Sequence, residues 1–418
     1  MFLRRITVAA VCSVASCLAA CTSAPSAAPA RFVAAWAVSQ GRIAEHAPAL
    51  GNSTVRVVVR PTIGGTAVRI KLENTIATTP VTFAAAYIGV LDHGAQLVAG
   101  SNRQLTFAGQ STLTLQPGAG AYSDAVALPV QAFQRVAISL DVTSAGEIST
   151  HALGLASSHY APGHIAKSES GAGFAPLPSQ AQDVTSFPIY WVTALDVEST
   201  TGGAIVALGD SITDGRCSTT DSSGKVMPDL YQRWTDVLAD RLASSPASSP
   251  KAVVNAGIAG NRVLEDGPTG PSALTRLDRD VLDRAGATHV ILFEGTNDLS
   301  RGSTSAELIA GTKQIIDRVH ARGMKIIGAT VVPRGAPEGA PREGFSSLQE
   351  RHRREVNDWM RNEAPFDGVI DFDAAMAGGG TSPTGAEIMK REYSCDFIHP
   401  NAAGYRALGE AIDLRLFE

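Results

Sequence analysis

The feature that most constrains this chain is a change of rhythm near residue 200. From Phe32 to about Thr200 the apolar residues recur at period two: Val68-Arg69-Ile70-Lys71-Leu72-Glu73 alternates strictly, and Val136, Ile138, Leu140 and Val142 do so between small or polar neighbours. Alternation with polar partners predicts half-buried antiparallel strands. Gly64-Gly65, set between the run 55–63 and the strand beginning at Val68, predicts a tight hairpin. Helical periodicity is absent from this stretch, so an all-β sandwich or jelly-roll-like unit is expected over 32–199. Thr200-Thr201-Gly202-Gly203 reads as the join to the next domain.

After Ala204 strands and helices alternate. The runs 204–208, 252–255, 289–293, 325–332 and 368–372 are almost continuously apolar, as strands buried on both faces of a parallel sheet must be. Between them lie amphipathic stretches carrying Trp234, Val237, Leu238 and Leu242, then Leu274, Leu277, Val281 and Leu282, then Leu308, Ile315, Ile316 and Val319, the last ended by Gly323. Successive βα units imply a doubly wound, three-layer, flavodoxin-like α/β domain with five parallel strands over 200–418. The Pro- and Gly-rich segments 333–344 and 377–385 read as long loops over one rim.

A chain of 418 residues is too long for one ordinary core, which agrees with two domains. The N-terminus stands apart from both. Arg4 and Arg5 precede an apolar stretch, 6–20, that is short for a membrane span and has the form of an export signal. Leu18-Ala19-Ala20-Cys21 has the form of a lipoprotein cleavage box, which would make Cys21 the lipidated first residue after a 1–21 signal; cleavage near Ala28 or Ala30 is the rival. Residues 22–31, rich in Ala, Ser and Pro, would be a flexible tether. The expectation is an exported cell-envelope lipoprotein, periplasmic or at the cell surface, or else a secreted protein, that meets a membrane only through that anchor. Charged residues are 18% and the net charge is −5, so nothing recommends nucleic acid as a partner. A monomer acting on a small-molecule or glycan substrate is expected.

In an open parallel sheet, ligands bind beyond the carboxyl ends of the strands. The first such junction reads Leu208-Gly209-Asp210-Ser211-Ile212-Thr213-Asp214-Gly215, the second Asn255-Ala256-Gly257-Ile258-Ala259-Gly260-Asn261, the third Glu294-Gly295-Thr296-Asn297-Asp298. Before the last helix stands Asp396-Phe397-Ile398-His399-Pro400-Asn401. Singly, each has an ordinary reading: Ser211 as a helix cap, Gly260 as a turn glycine, Asn297-Asp298 as a turn pair, His399 as an exposed loop residue. Their joint occurrence, in this order, decides against those readings.

These four pieces resemble the GDSL/SGNH hydrolases: Gly-Asp-Ser after the first strand, a Gly after the second, Gly-x-Asn-Asp after the third and Asp-x-x-His-Pro near the end. The resemblance covers about half the chain, from Ala204 onward, and the N-terminal β-region is similar to that of a bacterial branch of exported esterases. It implies Ser211 as nucleophile, His399 as base, Asp396 as the orienting acid, and an oxyanion hole made by Ser211, Gly260 and Asn297. It also implies a serine carboxylic-ester hydrolase that works through an acyl-enzyme without a cofactor or metal.

The chemistry of the residues agrees. A serine hydroxyl needs an imidazole to take its proton, and the imidazole needs a carboxylate on its other nitrogen. An Asp three residues before the His can reach Nδ1 and leave Nε2 facing out. In a sheet of order 2-1-3-4-5 the first strand lies between the second and third, which would put Ser211 between Gly260 and Asn297. Asp210, Asp214 and Asp298 are expected to hold turns by accepting backbone N–H bonds. No Gly-x-Ser-x-Gly, Gly-x-Gly-x-x-Gly, His-Glu-x-x-His or Cys-x-x-Cys motif is present, and the other histidines are given no role.

Cys12 and Cys17 would leave with the signal and Cys21 would carry lipid, so Cys217 and Cys395 remain. In an oxidising compartment they would pair, clamping two site loops together; two separate buried thiols is the alternative. For substrate, acetyl or other short acyl esters of glycans or small molecules come first, then lysophospholipase, arylesterase or thioesterase chemistry. A different class of reading is an acyltransferase, or a polysaccharide-binding β-domain served by the esterase. The last would need exposed aromatic platforms, and Tyr190 and Trp191 sit in a run that could equally be core.

Overall fold

The computed structural model describes residues 30–44, 47–177, 187–200, 202–221, 223–245, 250–340 and 342–418. Cys21, the signal and all but the end of the tether lie outside the described residues.

The N-terminal part is a sandwich of two antiparallel sheets. One has the order Arg31–Ala37, Val192–Ser199, Gly65–Glu73, Val126–Val130; the other is built on Ser53–Val59, Val136–Ala145 and Val81–His93, with short strands added at its margins. Val68, Ile70 and Leu72 of the first sheet and Val55, Val57, Ile138 and Leu140 of the second share one core, in which the rings of Phe83 and Trp191 meet edge to face. Tyr190 and Trp191 are fully buried and belong to this core, not to a binding platform.

Gly65–Glu73 alternates buried and half-exposed positions as its sequence predicts. Two expectations fail. The Gly64-Gly65 pair makes no hairpin: Ser53–Val59 and Gly65–Glu73 lie in different sheets, and the segment between them crosses from one layer to the other. Val136–Ala145 is buried on both faces along most of its length, because Ala137 packs outward with Val58, Leu91 and Leu97 in a second small cluster. A strand's second face is set by what the rest of the chain lays over it, and periodicity carries no signal for that.

The C-terminal part is a parallel sheet of five strands in the order Ala252–Gly257, Ala204–Gly209, Ala287–Phe293, Lys325–Ala329, Gly368–Ile370, which is the 2-1-3-4-5 topology. Alternate residues of the first strand serve opposite layers. Val206 and Leu208 face helices carrying Leu277, Leu308, Ile315, Val319 and Trp359, whereas Ile205 and Ala207 face Trp234, Leu238, Tyr405 and Leu408. The three amphipathic stretches form helices at Trp234–Ser244, Ala273–Leu277 (continued by one wider turn to Leu282) and Ser305–Ala321. The chain beyond Pro333 is a loop, but 377–385 is not wholly one: Ala377–Thr381 pairs with Glu387–Met389 as a two-stranded ribbon.

The sandwich rests on the α/β layer through small side chains. Ala34, Ala37 and Ala194 are buried in the same cluster as Val206 and Leu208. Buried Arg284 donates to the carbonyls of Val38 and Thr193. Among the described residues no helix is long and apolar enough to cross a membrane.

Candidate active site

Gly209 ends the first strand where a Cβ would come within 2.2 Å of Thr213 Oγ1 and 2.5 Å of Phe293 O, so the chain must be bare there to turn. Asp210 then caps the one-turn helix Ser211–Asp214 by accepting from Ile212 N at 2.9 Å, and Gly215, at φ 102°, ends it. Ser211 is held at the head of that turn, beyond the carboxyl edge of the sheet.

The second junction carries Gly260 at φ 78°, a conformation that favours glycine. The third carries Asn297 in the turn Thr296–Ser300. The two are tied together: Asp298 accepts from Val263 N at 2.9 Å and Leu264 N at 3.0 Å, and Asn297 Nδ2 donates to Asn261 O at 2.9 Å. Asp214 likewise accepts from Ala259 N at 2.8 Å. The three aspartates thus hold turns in the way the sequence led us to expect.

The fourth segment folds back on itself, with Cys395 N donating to His399 O at 2.9 Å, and Phe397 takes φ 64°. Asp396 Oδ1 accepts from the backbone of His399 at 2.8 Å, and Oδ2 lies 2.9 Å from Nδ1 of its ring. On the other side of the ring, Nε2 is 2.9 Å from Ser211 Oγ. Ser211, His399 and Asp396 therefore form one hydrogen-bonded chain. The backbone N–H groups of Ser211 and Gly260 have no acceptor among the described residues, and both residues line the same cleft as Asn297.

The electrostatics suit a neutral imidazole beside an ionised carboxylate. Burial lowers the His399 pKa from 6.5, against the raising effect of Asp396. Burial alone would raise Asp396, but the hydrogen bonds it accepts from the ring and backbone of His399 and from Ile398 N hold it well below the ordinary carboxylate range. Asp210, fully enclosed, is pushed up to about 7 by burial. Cys217 and Cys395 are joined in a disulfide. Cys217, Asp396 and His399 come close enough to suggest a metal site, but the sulfur is in that bond and the other two are paired with each other.

Residues 207–407 match the family model described as GDSL-like lipase/acylhydrolase. This part of the chain belongs to that family. The GDSL acylhydrolase is a carboxylic ester hydrolase. Solved structures similar to it include a carbohydrate acetylesterase from Sinorhizobium meliloti (19% identity, 50% of this chain and 95% of that one, TM-score 0.39). An inhibitor-bound aryl esterase from M. smegmatis is similar at 21% identity, 50% of this chain and 95% of that one, TM-score 0.37. A GDSL-like lipase from Bacteroides thetaiotaomicron is similar at 16% identity, 51% and 87% coverage, TM-score 0.36. A comparison with curated proteins finds no match.

Several residues of the GDSL site escaped the sequence reading. Arg276, fully buried, braces the ends of the first two strands: it donates to Gly209 O at 3.0 Å, Ala256 O at 2.6 Å, Asn261 Oδ1 at 2.9 Å and, across in the sandwich, Ser39 Oγ at 3.2 Å. Arg334 donates to Thr296 O at 3.2 Å and Thr296 Oγ1 at 3.1 Å, behind Asn297. His151, given no role from sequence, reaches in from the sandwich: its Nδ1 is 2.9 Å from Ser39 O and its Nε2 is 3.1 Å from Asp214 Oδ1. A charged side chain next to an apolar helical stripe, as at Arg276, is the one local signal that was available; His151 and Arg334 have none, since their partners lie far along the chain.

Proposed function

We propose that this enzyme hydrolyses short-acyl esters, acetyl above all, of glycans or other hydrophilic alcohols. In this reading Ser211 Oγ attacks the carbonyl carbon while its proton passes to His399 Nε2, with Asp396 fixing the ring so that Nδ1–H points at the carboxylate. The tetrahedral oxyanion receives the N–H groups of Ser211 and Gly260 and the side-chain amide of Asn297. Collapse expels the alcohol, which takes the proton from Nε2; water then repeats the sequence on the acyl-enzyme and frees the acid. The observation that carries the assignment is the 2.9 Å contact between Ser211 Oγ and a ring whose other nitrogen is held by Asp396.

The preference for a short acyl group rests on the lining of the cleft. It encloses about 300 Å³, and among the described residues its only apolar side chains are Ala152, Ile258, Ala259 and Ile398. A long acyl chain gains about 0.8 kcal/mol for each CH₂ removed from water, and this cleft offers too little apolar wall to collect it. The disulfide supports action in an oxidising compartment outside the cytoplasm, and acylation of Cys21 would be read by mass spectrometry of the membrane-extracted protein.

The test is kcat/KM across aryl esters from acetate to octanoate, beside acetate release from acetylated glycans. A maximum at two or three carbons is expected. Rates that climb steadily to octanoate would refute the short-acyl assignment, and Ser211→Ala retaining more than a few per cent of turnover would refute the nucleophile.

A further inference from the structure

The cleft over Ser211 is lined by four arginines. Arg42, Arg216, Arg334 and Arg342 all line it, and among the described residues Asp214 is its only lining carboxylate. Asp214 is already faced by His151, and Asp396, just behind His399, is engaged by that ring and by Arg342 Nε at 3.3 Å. A site shaped only for a neutral ester gains nothing from so much positive charge, because guanidinium groups must shed water when the substrate enters.

Arg334 and Arg342 have structural duties. Arg334 braces the Thr296–Asn297 turn, and Arg342 contacts Asp396 while leaving half its side chain exposed. Arg42 has none. It lies on the short strand Arg42–Ile43, which pairs with Ser149 and Thr150 at the sandwich rim. It is half-buried, and its side chain makes no ion pair or hydrogen bond with a described residue.

Its backbone, by contrast, is fixed. A Cβ on the neighbouring Gly41 would stand 2.4 Å from Thr269 O and 3.1 Å from Ile258 Cγ2, so this rim is pressed against the wall that carries Gly260. A guanidinium with no partner among the described residues thereby lines the cleft from a closely packed support, with the half-exposed Arg342 lining the same cleft beside His399.

We propose that the cleft selects esters bearing an oxyanion, a carboxylate or a phosphate, close to the scissile bond, and that Arg42 and Arg342 bind that group. This rests on the reading of Ser211 as the nucleophile. Arginine suits the task because its planar fork matches either oxyanion with two parallel hydrogen bonds. Arg42, supplied by the sandwich, is in this reading a specificity residue contributed to the hydrolase from outside its α/β part.

The experiment compares 4-acetoxybenzoate with its primary amide, which has a similar leaving group and no charge, and with 4-acetoxyphenyl phosphate, on the full-length enzyme and on Arg42→Gln and Arg342→Gln. All three esters are read on the same protein, so their ratios are insensitive to partial misfolding of a variant. We expect kcat/KM for one or both anionic esters to exceed that of the amide by about tenfold or more at low salt, and either substitution to cut the ratio by about fivefold. Salt at about 0.5 M should compress it as well. The carboxylate and phosphate arms distinguish which oxyanion is preferred. A ratio near one, unmoved by both substitutions, overturns the proposal while leaving the esterase assignment standing; failure to turn over any of the three esters overturns the esterase assignment and the proposal with it.

Discussion

Reduction of the Cys217–Cys395 disulfide should cost stability and activity by separable amounts. The two cysteines are 178 residues apart, and cross-linking so long a loop removes chain entropy from the unfolded state equivalent to about 5 kcal/mol. With an unfolding entropy of roughly 2.1 cal/mol/K per residue, the described part of the chain would lose about 6 °C in Tm. The catalytic effect has a different origin. Cys217 follows the turn headed by Ser211, with Arg216 N bonded to Ser211 O and Arg216 O accepting from Tyr405 Oη, whereas Cys395 directly precedes Asp396. The 395–399 loop keeps its internal hydrogen bonds when the sulfur bridge opens, so His399 and Asp396 stay together; what loosens is their position relative to Ser211. Because a displacement of about 1 Å can lower a rate 10²-fold, kcat should fall by several-fold up to that limit while KM changes less. Cys395 is exposed, so dithiothreitol can reach the bond. The assay is Tm and aryl acetate turnover with and without reductant, repeated on Cys217→Ser/Cys395→Ser. Tm and kcat unchanged in both, or both thiols freely alkylated in unreduced native protein, would refute the reasoning.

With the His399 pKa lowered by burial, kcat/KM should drop as pH falls through a midpoint below 6.5, where the imidazole takes up a proton and stops acting as a base; an acidic limb centred well above 6.5 would contradict this. Asp396→Asn removes the hydrogen bond and charge that raise that pKa, so its midpoint should move lower still while kcat falls on the order of 10⁴-fold, and a limb moving upward would count against the triad. Asn297→Ala should cost about 10²- to 10³-fold in kcat with little change in KM, and a loss confined to KM would remove it from the oxyanion hole. Arg276→Met leaves Gly209 O, Ala256 O and Asn261 Oδ1 without their donor and should destabilise the fold by about 3–5 kcal/mol, measured by urea denaturation; a loss under about 1 kcal/mol would mean the guanidinium is not a brace.

The parallel strands and the four loop segments were legible because each rests on a local pattern, whereas the 2-1-3-4-5 order was expected only from the flavodoxin-like fold class. Continuous apolar runs mark parallel strands, and turn residues directly after them mark the binding edge. What escaped depends on distant partners. The helix Ser347–Asn362 has a capping box at Ser346 and Gln349, yet its buried set includes Glu350, Arg353 and Asn357, so its apolar stripe is too thin to stand out. Arg353 is buried because Glu350, Asp373 and Glu387 surround it, an arrangement that no window of sequence contains. The crossing at Gly64-Gly65 fails for the same reason: two glycines permit a turn but do not say which sheet receives the next strand.

The way the two units join also bears on how such a site can vary. The segment 276–284 places three guanidinium groups around buried Asp280, and those same side chains reach Ser39, Gln40, Val38 and Thr193 of the sandwich. Taking the sandwich away would leave these donors without acceptors in a buried place, a large cost beside a typical stability of about 5–15 kcal/mol. The sandwich is thus bound into the same structure that positions the ends of the first two parallel strands. Its rim, at Gly41, Arg42 and His151, forms one wall of the cleft, whereas Ser211, Asp396 and His399 all sit on the α/β part. The reacting groups thus lie on the α/β part, while the sandwich supplies part of the cleft wall around them. If Arg42 selects substrate as proposed, changes on the Arg42–Ile43 strand would alter what enters the cleft without moving the hydroxyl, the imidazole or the carboxylate.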